Sequence, residues 1–206
     1  MTGARAVSNA EAVADVDVVI LSIPLSRTPE VAQLVATLPA HTVVIDTSNY
    51  YPMRDGRIDA IEAGQVESLW VVEQLGRPIV KAWNSILADS FARMGTAPGS
   101  PSRIALPVAA DRENDRRVGM QLVEETGFDA FDAGALAESW RQQPGTAAYC
   151  TDLSREEIPG ALASAEAERS PKRRDLAMAV FMERSGKGSK GPDAEFGVRL
   201  NRAIFM

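Results

Sequence analysis

Residues 18–31, VVILSIPLSRTPEV, form a continuous apolar run that ends at a serine and two prolines. A strand apolar on both faces belongs in the middle of a parallel sheet, with strands on both edges and helices over both faces. Four further runs, bounded by turn residues, share its apolar and β-branched character: HTVVIDTSN (41–49), PIVKAWNSI (78–86), RIALPVAA (103–110) and GFDAFDAG (127–134). With DVVILSIP (17–24) they make five expected strands.

Helical patterns lie between them. TPEVAQLVATL places Val31, Leu34, Val35 and Leu38 on one face, with Thr28 as an N-cap and Pro29 at the first helical position. DRENDRRVGMQLVEETG turns Val118, Leu122 and Val123 inward and stops at Gly127. Strands alternating with helices predict βαβ units, hence an α/β fold with a doubly wound, mostly parallel sheet. After Gly134 the chain becomes polar and turn-rich, with a break at Pro144 and Gly145. A helix capped by Ser170 and Pro171 follows, with Leu176, Val180 and Phe181 expected inward, and EFGVRLNRAIF makes a last helix. The Gly/Lys segment GKGSKGPD (186–193) follows no strand and lacks the spacing of a phosphate-binding loop, so it reads as a linker. The expected organisation is a sheet domain over 1–135 and a loop and helical extension over 136–206 packed on it.

Charge and composition exclude several function classes. A net charge of −6 argues against general nucleic-acid binding. Residues 161–206 carry 9 Lys/Arg against 6 Asp/Glu, and KRR at 172–174 reads as a solvated helix face. No apolar stretch approaches the ~20 residues that span a bilayer, and the first residues lack a signal-peptide layout, so the expectation is a cytoplasmic protein with no membrane partner. One cysteine, Cys150, rules out an intramolecular disulfide.

The chemistry-bearing residues are few. One histidine, His41, and one cysteine cannot supply a typical zinc site, and a Ser-His-Asp triad has little material. Asp46 and Asp132 stand near strand ends, where both a capping and a functional role are open. What stands out is a set of small and polar residues at strand ends: SIP at 22–24, DTSNYY at 46–51 and KAWNSI at 81–86. Open α/β sheets bind ligands at the carboxyl ends of their strands. A rim without an acid–base pair, nucleophile or metal ligand is what hydride transfer between two organic cofactors requires, because the cofactors carry that chemistry. No catalytic residue is therefore assigned.

The segments VVIDTSNYYPMRDG, VKAWNSILA, RIALPVA and GFDAFDAGALAESWRQQPGT resemble the coenzyme F-420-dependent NADP oxidoreductases, a family with a Rossmann-like NADP-binding domain also seen in the STEAP metalloreductases. The resemblance runs from about Gly3 to RLNRAIF near the C-terminus. It implies NADP(H) as cofactor and a small-molecule redox partner such as a deazaflavin as co-substrate. Ser22, Ile23 and Pro24 would border the adenosine and bridging ribose, and Asn49 the nicotinamide half or pyrophosphate. Ala82 would lie against the nicotinamide ring and Asn84 would orient the partner; Trp83 stands where the family more often has Phe. Each residue also has a plain structural reading: Pro24 ends a strand, Asn49 closes an Asx turn, Ala82 packs the core. Glu138, Trp140 and Arg141 read either as substrate contacts or as an anchor for the tail with a helical ion pair, the latter preferred.

The resemblance also exposes what these residues do not supply. The family begins with a strand, a Gly-x-Gly-x-x-Gly-like turn, a helix and a second strand, whereas this sequence opens at the counterpart of the third strand, ARAV (4–7), and the short helix after it. In the order 3-2-1-4-5-6 the first strand would lie beside VVILSIP. The expected fold is thus an N-terminally truncated Rossmann-like sheet whose apolar edge either associates with a second copy, pairs with ARAV in another arrangement, or promotes aggregation. Three origins stand open: an internal start, a shortened chain that covers its edge by dimerising or swapping an element, and a non-catalytic nucleotide-sensing or scaffold relative that has lost dinucleotide binding.

Overall fold

The five apolar runs pair into one sheet in the order in which they occur along the chain. The computed structural model describes residues 3–185 and 193–206. Its elements are α1 (Asn9–Ala12), β1 (Val18–Leu21), α2 (Thr28–Ala36), β2 (Val43–Asp46), α3 (Pro52–Asp55), α4 (Asp59–Glu62), α5 (Glu67–Leu75) and β3 (Val80–Lys81). They continue with α6 (Ala88–Arg93), β4 (Ala105–Ala110), α7 (Glu113–Glu125), β5 (Asp129–Asp132), α8 (Ile158–Ala163), α9 (Ser170–Ser185) and α10 (Ala194–Phe205). Short 3-10 turns occupy Leu25–Arg27 and Leu136–Gln142.

β1, β2 and β3 run parallel, with Val19 opposite Val44 and Ile45 opposite Val80. β4 is antiparallel to β3, and β5 is parallel to β4. The sheet is therefore mostly parallel, as its alternation with helices requires, and the fold is Rossmann-like α/β with C-terminal helices. The reversal at β4 has a consequence for the site. Asp132 ends β5 at the opposite end of the sheet from the carboxyl ends of β1–β3, where it pairs with Arg116 and caps Gly134 N–H. Its structural reading is the correct one.

The period-2 alternation of β2 separates two layers of core. Val44 faces one layer with Val19, Val35, Val71 and Leu75, under α2 and α5. Val43 and Ile45 face the other with Val80, Leu106, Val108 and Phe128, under α7. Val123 of α7 is fully buried, and Val118 and Leu122 pack around it. β1 pairs only with β2 among the described residues, and Ile20 is 52% exposed. Residues 4–7, expected as the counterpart of a strand, form none, because a strand exists only within a ladder and no described strand lies beside them. The short helix after them is present as α1, held by a capping box between Ser8 and Glu11.

The C-terminal part departs from the sequence reading in two ways. Leu176 is exposed, because the inward stripe of α9 runs through Ser170, Arg174 and Ala177 at helical spacing and leaves it on another face. The polar, turn-rich stretch after Gly134 is not a surface loop: residues 144–151 are all buried. The Gly/Lys segment, apart from Asp193, lies outside the described residues.

Gly145 lets that stretch pass against α9. Its φ is +92°, and a Cβ there would stand 2.0 Å from the Ser170 carbonyl oxygen and 3.0 Å from Arg174 N. Neither contact can be relieved by moving a side chain, since both are backbone. Gly145→Ala is expected to destabilise the fold by about 2 kcal/mol or more, from overpacking and left-handed strain together. The midpoint of urea denaturation measures it, and an unchanged midpoint would show that α9 is not held this closely.

Candidate functional site

β2 ends at Asp46 and β3 at Lys81, which stand opposite each other in register. Both side chains are sealed from solvent, and Lys81 Nζ lies 2.7 Å from Asp46 Oδ2. Lys81 also donates to the Ser48 carbonyl, while Asp46 Oδ1 accepts from Ser48 N–H at 3.1 Å. That Asx turn bends the chain out of the sheet after β2. Asp46 is thus a structural residue that aims the following loop.

Asn49 and Asn84 lock the two loops that leave β2 and β3. Asn49 Nδ2 donates to the Asn84 carbonyl at 2.8 Å, and Asn84 Nδ2 donates to Asn49 Oδ1 at 3.1 Å and to the Gln142 carbonyl at 2.9 Å. Gln142 Nε2 returns a bond to Asn84 Oδ1 at 2.8 Å. Both amide hydrogens of Asn84 and its oxygen are engaged by protein, so Asn84 acts by holding Asn49. Asn49 keeps one amide hydrogen and one lone pair for a ligand.

Beside Asn49 opens a cavity of about 590 Å³ at the carboxyl ends of β1, β2 and β3. Ile20, Ser22, Thr47, Trp83, Ile86 and Phe91 are among its walls, and among the described residues no Asp, Glu, Lys, Arg or His lines it. Tyr149 and Cys150 close it; burial raises both of their pKa values above the ordinary phenol and thiol, so the lining is uncharged at neutral pH. Trp83 has φ +54° and Cys150 φ +52°, both in the left-handed region that side chains disfavour. Trp83 is fixed there by its indole N–H, which donates to Thr126 Oγ1 at 3.1 Å, and Cys150 by its N–H to the Ser85 carbonyl at 2.9 Å. Strain held at a cavity wall marks a shape that the surrounding contacts over-determine.

Of the six residues expected to bind cofactor, the cavity brings together Ser22, Asn49 and Asn84. Ile23 and Pro24 are half-buried beside it but outside its lining, and Pro24 starts the 3-10 turn at Leu25–Arg27. Ala82 is fully buried, packed in the layer with Val43, Ile45 and Val80, so its side chain meets the core and not the cavity. Glu138 and Arg141 pair at 2.8 Å, with Arg141 stacked 4.3 Å from the Trp140 ring centroid, which is the structural alternative of the two.

Three charged residues that the sequence reading passed over lie buried behind the rim. Lys81 interrupts the apolar run PIVKAW, a signal visible in the sequence. Arg174, read within KRR as solvated, is 6% exposed and stacks on the Tyr50 ring at 5.2 Å. Glu67 opens α5, is 4% exposed, and accepts Tyr50 N–H at 3.1 Å. Burial raises its pKa to about 7 from 4.5, against the opposing pull of Lys81, the Tyr50 N–H and Arg174, with Asp46 adding a smaller upward push. Among the described residues no group of three or more His, Cys, Asp or Glu could hold a metal ion, and no helix is long and apolar enough to cross a membrane.

Comparison with known proteins finds the same family at the start of the chain. The family profile "NADP oxidoreductase coenzyme F420-dependent" matches residues 1–50. The curated protein YjhV of Escherichia coli (strain K12) is 52% identical over 54 residues, which are 26% of this chain and 39% of that protein. A "hypothetical protein" of Sinorhizobium meliloti, solved by crystallography, is 25% identical with a TM-score of 0.50, over 61% of this chain and 60% of its own. The "putative f420 dependent nadp-reductase" of Arthrobacter sp. FB24 has the same TM-score at 15% identity, covering 84% of this chain and 70% of its own, a likeness of fold. The chain thus spans well under two thirds of the curated relative it matches, and 60% of the Sinorhizobium protein.

The Glu67 carboxyl makes stability depend on pH in a definite direction. Its folded pKa is raised, so its contribution is fully present below the unfolded value of 4.5 and is lost as pH rises through about 7. Wild-type protein should lose stability between those values, and Glu67→Gln should flatten that fall and be the more stable of the two at pH 8. Chemical denaturation at pH 5, 6, 7 and 8 measures it; parallel curves for the two proteins would contradict the assignment.

Proposed function

We propose that this chain, which resembles the coenzyme F420-dependent NADP oxidoreductases, uses the cavity beside Asn49 to hold the flat ring ends of a redox pair. The observation that carries the reading is the cavity's uncharged lining at the carboxyl ends of three parallel strands. Such a lining suits a neutral aromatic ring with a carboxamide, and the spare donor and acceptor of Asn49 suit the carboxamide itself. Bound there, NADP(H) supplies a hydride, two electrons with one hydrogen, to a flat partner such as a deazaflavin coenzyme.

The residues of this chain have orienting work to do. Trp83, Ile86 and Phe91 exclude water from the ring faces, Asn84 and Gln142 fix the Asn49 amide, and Ser22 and Thr47 add hydroxyl partners at the strand ends. The proton that accompanies hydride transfer goes to or comes from solvent, since the phenol and thiol in the wall are held neutral. Among the described residues no cation lines the cavity to receive phosphates. Affinity for the dinucleotide from these residues alone is therefore expected to be low.

Titration of NADPH fluorescence tests this on the 206-residue chain. Saturable binding weaker than about 100 μM, lost in Asn49→Ala, is the expected result. Low-micromolar binding would show that phosphate contacts have been missed. Binding unaffected by Asn49→Ala, or none at all, would overturn the assignment of this cavity.

A further inference from the structure

A second cavity, of about 610 Å³, opens between the loop before α5, the 3-10 turn at Leu136–Gln142 with the residues after it, and the start of α9. Unlike the rim cavity, it has charge at its walls. Glu67, Arg174 and Gln143 line it with Tyr50, Trp140 and Pro144, and the exposed Glu62 and Glu168 add two more carboxyls to its wall. No part of the redox reading uses it.

Three unspent polar groups meet there. Glu67 is 4% exposed, and its Oε2 accepts the Tyr50 N–H, while its other oxygen has no hydrogen-bond partner among the described residues. Gln143 Nε2 is buried with no partner. Arg174 is 6% exposed and gives its Nε to Asp175 at 2.7 Å, which leaves the guanidinium Nη hydrogens without a partner among the described residues. Buried polar groups are ordinarily satisfied, and Gln143 Nε2 is a buried one left unpaired. A cavity wall with an unpaired carboxyl oxygen and an unpaired guanidinium edge, and with the unpaired Gln143 amide N–H buried next to them, is furnished for a ligand with both kinds of partner.

We propose that this cavity binds a small carboxylate that bears a hydroxyl or ammonium group beside its carboxyl. The ligand carboxylate would accept from Arg174 and Gln143, and its neighbouring donor would be received by Glu67. Arg174 favours a planar two-oxygen anion, which it can grip with paired N–H groups. Trp140 and Pro144 give an apolar wall that suits a short carbon body. A plain carboxylate would leave Glu67 unanswered, and a plain amine would leave Arg174 and Gln143 unanswered. The lining therefore selects for molecules with both groups.

The test uses the whole chain without NADPH, so that its outcome is independent of the rim cavity. Lactate, glycerate and serine serve as probes, with propionate and ethylamine as single-group controls, and binding is followed by titration of backbone amide NMR shifts. At least one two-group probe should saturate with Kd of about 1 mM or tighter, moving the amides of Glu67, Gln143 and Arg174, and should bind at least tenfold tighter than either control. Glu67→Gln and Gln143→Leu should each weaken that probe about tenfold while leaving the spectrum of the rest of the fold in place. Absence of saturation by all three probes would overturn the proposal. So would controls that bind as well as the two-group probes, or shifts that map to the cavity beside Asn49.

Discussion

The buried Lys81–Asp46 pair is the contact on which the shape of the rim depends. It joins β3, a strand of two residues, to β2 at the point where both leave the sheet. Backbone pairing over two residues gives little hold of its own, so the register there rests on the ion pair and on the packing of Val80. Desolvating two charges costs several kcal/mol, and such a pair persists when its remaining donors and lone pairs are also satisfied. Here the Ser48 carbonyl and Ser48 N–H do so, and those same bonds turn the chain toward Asn49. One interaction therefore sets strand register and aims the loop that carries the site.

Two cavities follow from that frame, and they differ in chemistry. The one beside Asn49 is uncharged and walled by residues held in strained backbone, which suits planar rings. The other has three carboxyls and a guanidinium in its wall, which suits a small polar molecule. Tyr149 lines the first and Arg174 the second, and both also line a third, smaller cavity of about 160 Å³ between α9, α10 and Tyr51. The buried stretch at 144–151 and α9 thus form the partition between the two sites.

Much of this was legible in the sequence because apolar periodicity is a local property. All five strands lie within the runs that announce them, and the small and polar residues at the ends of the first three do converge on one cavity. What was not legible depends on pairing between distant segments. Nothing local in GFDAFDAG tells that β5 runs against β1–β3, which removes Asp132 from the rim. Ala82 is small enough for either a cavity wall or a core, and the strand's alternation places it in the core. Arg174 looks solvated within KRR because the ring it stacks on, that of Tyr50, is more than a hundred residues away. The stretch 144–151 reads as a loop by polarity, but its glycine and alanines let it pass through the interior.

The measurement that bears most directly on this account is a double-mutant cycle at the buried pair, followed by chemical denaturation with the amide shifts of Asn49 and Asn84 as a second readout. Lys81→Met alone should cost about 3–5 kcal/mol, because it leaves the Asp46 carboxylate buried without its counter-charge, and it should displace both amide signals. Adding Asp46→Asn should recover a large part of that loss, giving a coupling energy of about 2 kcal/mol or more between the two positions. If Lys81→Met costs less than about 1 kcal/mol and both asparagine signals stay in place, the pair does not hold the rim, and the account is wrong at its foundation.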